Sequence, residues 1–151
     1  MTLFRSHMPA ALKQARAAAE RGETPVGAVI VDLKTQAIIA AAGNECRARP
    51  DPCAHAELIA IQIACHSVKR ERLQGMAIWV TLEPCAMCAG AIAHARLDRL
   101  YFGASDPKSG GVLHGPRVFD CATTHHRPEI IGGVMEAECA AAMQAFFSRK
   151  R

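Results

Sequence analysis

The chain has 151 residues, half of them hydrophobic, enough for one domain, 1–151, to bury a core without staples. No apolar run approaches the roughly 18 residues of a membrane span, and the N-terminal Met1 to Pro9 stretch lacks the charged-then-apolar layout of a secretory signal. A cytoplasmic protein without membrane contact is expected. A formal charge of +4 permits a polyanionic partner without requiring one; seven scattered cysteines, an odd number, favour metal binding or catalysis over a disulfide framework.

Met8, Leu12, Ala15 and Ala19 fall at helical spacing, and Gly22 follows as a stop. The apolar runs Val26 to Val31 and Ile38 to Ala42 flank the polar stretch 32–36 and read as a hairpin. Residues 43–53, with Gly43, Asn44, Pro50, Asp51 and Pro52, read as a loop. A second helix is predicted from about Cys53 or Ala54 to Val68, then a strand over Ala77 to Leu82. Pro84 is expected to open the next helix, at about 85–95, since its missing N–H has no partner in a first turn. Leu97 to Phe102 reads as a strand, and 103–128 as a long functional loop rich in Gly, Pro, His and Asp. A short strand over Glu129 to Val134 precedes a last helix carrying Met135, Cys139, Ala142, Met143 and Phe146 on one stripe. This order predicts an α/β fold: a three-layer α/β/α sandwich around a mixed sheet of about five strands.

Two short pieces carry the chemistry: His55-Ala56-Glu57 and Pro84-Cys85-Ala86-Met87-Cys88. Cys85 and Cys88 stand three residues apart, so at a helix start both sulfurs share one face. The positive helix end favours their thiolate forms, which are the forms that bind zinc. His55 is expected at the start of the preceding helix, and in a parallel βαβ arrangement the two helix N-termini meet at one sheet edge. Three protein ligands suit a catalytic zinc, because structural sites close with four. Zinc lowers the pKa of a bound water towards roughly 7, giving a hydroxide nucleophile. Glu57 stands close enough to shuttle its proton without binding the metal. A lone Cys-x-x-Cys is common in structural zinc knuckles, but the combined pattern is the known signature of zinc deaminases acting on nucleobases. Cys121 with His125 and His126 read as loop and core residues rather than a second metal site, because no partner pair stands nearby at ligand spacing.

With these motifs the sequence resembles the bacterial tRNA-specific adenosine deaminases of the cytidine-deaminase-like superfamily. Thr24-Pro-Val-Gly-Ala-Val is similar to that family's first-strand motif, and Gly43-Asn44 to its base-contacting turn. The stretches 51–57 and 80–88 resemble its metal motifs, 102–108 its substrate loop, and Glu138-Cys139 with Phe146-Phe147 its last helix. The resemblance implies one Zn2+ per subunit held by His55, Cys85 and Cys88, with Glu57 as the catalytic proton shuttle. It implies hydrolytic deamination of adenosine to inosine at the wobble position of a tRNA anticodon loop. It further implies a homodimer, with no DNA expected as partner. Substrate contacts are then expected from Asn44 at the base edge, Val26 at its face, Ala56, Asp106, Lys108, Phe147 and Arg149. The basic end Arg149-Lys150-Arg151 suits RNA. Three departures stand out: Cys53, Trp79, and the stretch Ser109 to Arg117. A free-base deaminase for guanine or cytosine would share the metal residues. The guanine enzymes, however, end in an aromatic segment that closes the site, whereas this chain ends in Phe-Phe-Ser-Arg-Lys-Arg. A non-catalytic RNA-binding scaffold subunit with structural zinc is the other alternative, and it has no use for Glu57.

Overall fold

The computed structural model describes residues 4–149. Small apolar residues at helical spacing form α1 (Met8–Glu20), which buries Met8, Ala11, Leu12, Ala15 and Ala18. The chain then reverses at Gly22, whose φ of 81° lies in the left-handed region that glycine enters without strain. The expected hairpin follows as β1 (Gly27–Asp32) and β2 (Ile38–Gly43), closed by the Asp32 carboxylate accepting the N–H groups of Lys34 and Thr35. Next come α2 (Ala56–Val68), β3 (Met76–Leu82), α3 (Ala86–Ala95) and β4 (Arg99–Ala104). A 3-10 turn at Val118–Asp120, β5 (Glu129–Ile131) and α4 (Glu136–Arg149) complete the order.

The sheet runs β2-β1-β3-β4-β5, with β1 antiparallel to both neighbours and the remaining pairs parallel. Period-two alternation sends each strand's side chains to opposite faces. Ala28, Ile30, Ile78, Val80, Leu100 and Phe102 meet the small apolar residues of α2 and α3. Val29, Val31, Ala77, Trp79 and Tyr101 meet α1 and α4. Trp79 and Tyr101 stack with ring centroids 3.8 Å apart. The result is the three-layer α/β/α sandwich with a mixed five-stranded sheet. Gly27 permits its closest approach, since a Cβ there would run into the backbone of Ala11 and Ala15 in α1.

Several boundaries differ from expectation for local reasons. The second helix starts at Ala56, not Cys53 or Ala54, because Asp51 first ties Cys53 and Ala54 into turns. Pro84 lies outside α3: Cys85 is the N-cap with extended backbone, and the Pro84 carbonyl accepts Gly111 N–H instead. The fourth strand runs from Arg99 to Ala104, not Leu97 to Phe102, because Arg96 ends α3 in the left-handed conformation and Leu97 is consumed in the turn. The fifth strand stops at Ile131 rather than Val134, as the chain bends at Gly132 and Gly133 (φ 78°). The βαβ expectation also needs correction: β2 and β3 run in the same direction, but antiparallel β1 lies between them. Their carboxyl ends still share one edge. Loops and helix starts at such an edge are where α/β proteins place ligands.

Candidate active site

His55 caps α2 and Cys85 caps α3, both with extended backbone. Cys88 lies one turn into α3 and is wholly buried. The His55 Nδ1 atom sits 3.7 Å from Cys85 Sγ and 3.5 Å from Cys88 Sγ. All three donors lie within 4.8 Å of one another. A tetrahedral zinc with bonds of about 2.0–2.1 Å to nitrogen and 2.3 Å to sulfur separates those atom types by roughly 3.5–3.6 Å. The cluster therefore fits such an ion, and no fourth His, Cys, Asp or Glu among the described residues joins it. The Cys88 thiol, then the His55 ring, stabilises the Cys85 sulfur and holds that thiol down to about 4 against the opposing effect of burial. Cys88 is pushed up, first by that shared hydrogen bond and then by burial.

Glu57 stands in the first turn of α2 and is 4% exposed. Its Oε1 is buried with no hydrogen-bond partner among the described residues. Burial, the largest effect, raises its carboxyl above the ordinary carboxylate range. An unpaired buried carboxylate oxygen is costly, and such strain is common where a protein does chemistry.

The pocket over these groups has a volume of about 220 Å³ and is lined by Thr24, Val26, Asn44, Cys46, His55, Glu57, Leu82, Glu83, Cys85, Asp106 and Ser109. That is smaller than the roughly 300–1,000 Å³ of sites for drug-sized ligands, and it suits a single planar base. Three of the expected substrate residues, Asn44, Val26 and Asp106, are thus brought together here. Asn44 also serves the fold, because its Oδ1 accepts the Ala56 N–H at 2.8 Å and so satisfies an otherwise orphaned donor at the start of α2. This leaves the amide nitrogen as the end that can address the pocket. Asn44→Ala is expected to lower stability by about 1–3 kcal/mol, the usual cost of a buried donor left unpaired. Urea unfolding reads this directly, and a shift of only a few tenths would show that the Ala56 N–H does not need the cap.

A groove of about 690 Å³ continues from the pocket past Thr24, Leu82, Asp106 and Ser109 to Lys108, Met143 and Phe147. Lys108 and Phe147 therefore stand beside the pocket rather than in it. Phe147 is 49% exposed, whereas Phe146 is buried and packs edge-to-face on it. Ala56 is wholly buried, with its N–H committed to Asn44, and is not among the lining residues. Arg149 lines a separate groove of about 500 Å³ with Arg16, Glu20 and Phe146. Helical periodicity explains the split, because Ala142, Ala145, Phe146 and Arg149 share one face of α4 and Met143 and Phe147 another. The rest of the basic end, Lys150 and Arg151, lies outside the described residues. Cys121 is exposed and His126 Nε2 donates to the Leu97 carbonyl, so neither takes part in the metal cluster.

Sequence reasoning passed over Glu23 and Glu83. Both are buried, each 2% exposed. The available signal was an acid within two residues of a proline at the edge of an apolar run, in Glu23-Thr-Pro25 and Leu82-Glu-Pro84.

Comparison with known proteins gives a consistent result. The sequence profile of the MafB19-like deaminases matches residues 4–151. The chain is 48% identical to the tRNA-specific adenosine deaminase of Agrobacterium fabrum over 148 residues, covering 97% of this chain and 96% of that one. A solved structure from work on A-to-I editing by tRNA:A34 deaminases superposes with a TM-score of 0.88 at 48% identity, covering 91% of this chain and 99% of the other. The guanine deaminase of Nitrosomonas europaea shares the fold (TM-score 0.83) at only 18% identity, covering 97% of this chain and 87% of that one.

Proposed function

From its membership of the MafB19-like deaminase family, and within it of the tRNA-specific adenosine deaminases, we propose that this chain converts adenosine to inosine at the wobble position of a tRNA anticodon loop. The observation that carries the reading is the pairing of a three-donor metal cluster with a buried carboxylate whose Oε1 has no partner among the described residues. His55, Cys85 and Cys88 would hold the metal, and zinc suits this nitrogen and sulfur donor set. When bound, zinc would activate a water for attack at neutral pH.

The remaining steps fall to the chain's own residues. Glu57 takes a proton from the attacking water at its free Oε1 and passes it to the ring nitrogen. It then takes the second proton, from the new hydroxyl on C6, and delivers it to the amino group, which leaves as ammonia as the C6 carbonyl forms. Asn44 donates from its amide nitrogen to the base edge, and Val26 packs on the base face. The small pocket admits a splayed base, which is how single-stranded RNA loops present themselves. Lys108 would meet a phosphate, and exposed Phe147 would stack a neighbouring base. Arg149, on its separate groove, serves a phosphate remote from the base.

The whole chain is read as one deaminase domain acting in the cytoplasm. No described helix is long and apolar enough to cross a membrane. A homodimer fits the high apolar content of α2 and α3, which leaves Ile63 and Met87 exposed on their outer side. The groove between these helices is mixed in character, with Leu58, Ile61 and Ala91 beside Glu71, Arg72 and His94. Free-base deamination finds less support, since the guanine deaminase above is 18% identical to this chain, against 48% for the tRNA-specific relative. Side-by-side incubation with an anticodon stem-loop, guanine and cytosine tests the choice. Inosine at the first anticodon position, with no ammonia from either free base, is expected. Turnover of a free base with none on the RNA would overturn it.

A further inference from the structure

Two buried carboxylates, Glu57 and Glu83, line the pocket, and a third, Glu23, is bound to one of its loops; the three are used in different ways. Glu57 keeps one oxygen without a partner among the described residues. The other two are heavily hydrogen-bonded, and the groups they bind belong to the two loops that form the pocket's facing walls.

Glu23 accepts the backbone N–H of Arg47 at 3.1 Å on each oxygen and that of Ala48 at 2.9 Å. It thereby fixes the loop after β2, which puts Asn44 and Cys46 into the pocket lining. Glu83 gathers the loop after β4 more tightly still. Its Oε1 accepts from Asp106 N–H at 3.1 Å and from the His114 ring at 2.8 Å. Its Oε2 accepts from the N–H groups of Val112, Leu113 and His114 at 3.0–3.2 Å. This loop supplies Asp106 and Ser109 to the pocket.

The Glu83 clamp shapes the sequence around it. A Cβ on Gly110 would run into the Glu83 carboxylate, and one on Gly111 would meet Ala86 N at 2.6 Å. Two consecutive glycines therefore let the loop lie flat against both the carboxylate and the start of α3. Gly110 bridges to Cys85, and Gly111 N–H reaches the Pro84 carbonyl at 2.8 Å. The wall is thus joined directly to the residue that caps the metal-binding helix.

We infer that Glu23 and Glu83 are positioning residues for the substrate, each holding one wall of the pocket at the width of a base. Neither needs to touch the reacting atoms. Loops of this length, rich in polar and glycine residues, do not hold a width unaided, because few apolar contacts restrain them. A buried carboxylate that accepts several N–H groups supplies the missing restraint through charge-assisted hydrogen bonds. The inference rests on the deaminase reading for its kinetic consequence but not for its structural one.

The test uses the zinc-loaded full-length protein and the variants Glu23→Gln and Glu83→Gln. Glutamine keeps the shape but turns an NH2 group towards N–H donors, so part of each clamp becomes repulsive. Hydrogen exchange should quicken at least tenfold at Asp106 and 112–114 in Glu83→Gln, and at Arg47 and Ala48 in Glu23→Gln, each without the other. Each variant should raise KM for the anticodon stem-loop tenfold or more while kcat changes less than threefold and zinc content stays at one per chain. A merely structural role would instead lower the active fraction, and so apparent kcat, at unchanged KM. Unchanged exchange at those amides, exchange quickened everywhere alike, or unchanged KM would overturn the inference. Should Glu83→Gln fail to fold, His114→Ala removes one of five donors and should show the same local pattern at smaller amplitude. A wild-type protein that leaves the RNA unaltered would defeat the deaminase reading, while the exchange pattern would still decide the clamps.

Discussion

Glu57→Gln is expected to keep the fold and one zinc per chain while kcat falls by roughly 10²–10⁴, the usual contribution of a positioned acid–base group. The buried Oε1 of Glu57 has no hydrogen-bond partner among the described residues, so the side chain contributes little to folding through that atom. Glutamine preserves the volume but cannot carry a proton between water, ring nitrogen and ammonia. Removing a buried carboxylate also removes its desolvation cost. The urea midpoint should therefore stay level or rise, a trade of stability against activity that active sites often show. Inosine formation, metal content and unfolding must be followed on one preparation. A fully active variant would strip Glu57 of its role, and one that loses zinc would recast it as a ligand.

Stripping the metal should be more drastic still. Cys88→Ser is expected to abolish both zinc retention and turnover, because Cys88 is wholly buried and its sulfur lies 3.5 Å from His55 Nδ1. Zinc binds the native cluster and not the dispersed ligands of an unfolded chain. At a free zinc concentration a thousandfold above Kd it would stabilise the fold by about 4.1 kcal/mol. For a chain of this length that is on the order of 10 °C in Tm. The wild-type protein should lose that increment in a strong chelator, whereas Cys88→Ser should melt at the lower temperature with or without it. A variant still carrying one tightly held zinc would show that the three-donor site has been misassigned.

The metal residues were legible because ligand chemistry restricts residue type and helix geometry restricts spacing. His55, Cys85 and Cys88 could be named without knowing how the strands pair. The layers were legible too, since small apolar residues recur at helical spacing in α1 and as unbroken runs in β1 and β3. What escaped depended on contacts distant in sequence. Antiparallel β1 between β2 and β3 is a matter of strand order, on which hydrophobic pattern is silent. Helix starts shifted because Asp51 and the Pro84 carbonyl take hydrogen bonds from loops. Glu83 escaped for a like reason: its partners are 23 to 31 residues away, and an acid in isolation reads as surface. Arg149 and Phe147 stand only two residues apart, but the helix turns them to different grooves.

The chain contains a single tryptophan, and Trp79 lies in the layer beneath α1 and α4, ring to ring with Tyr101. The metal cluster belongs to the other side of the sheet. Intrinsic fluorescence excited at the indole therefore reports on the integrity of the rear layer, unmixed with signals from elsewhere. Loading or emptying the catalytic face leaves that emission quiet as long as the sandwich holds, so the protein separates folding from occupancy without an added label.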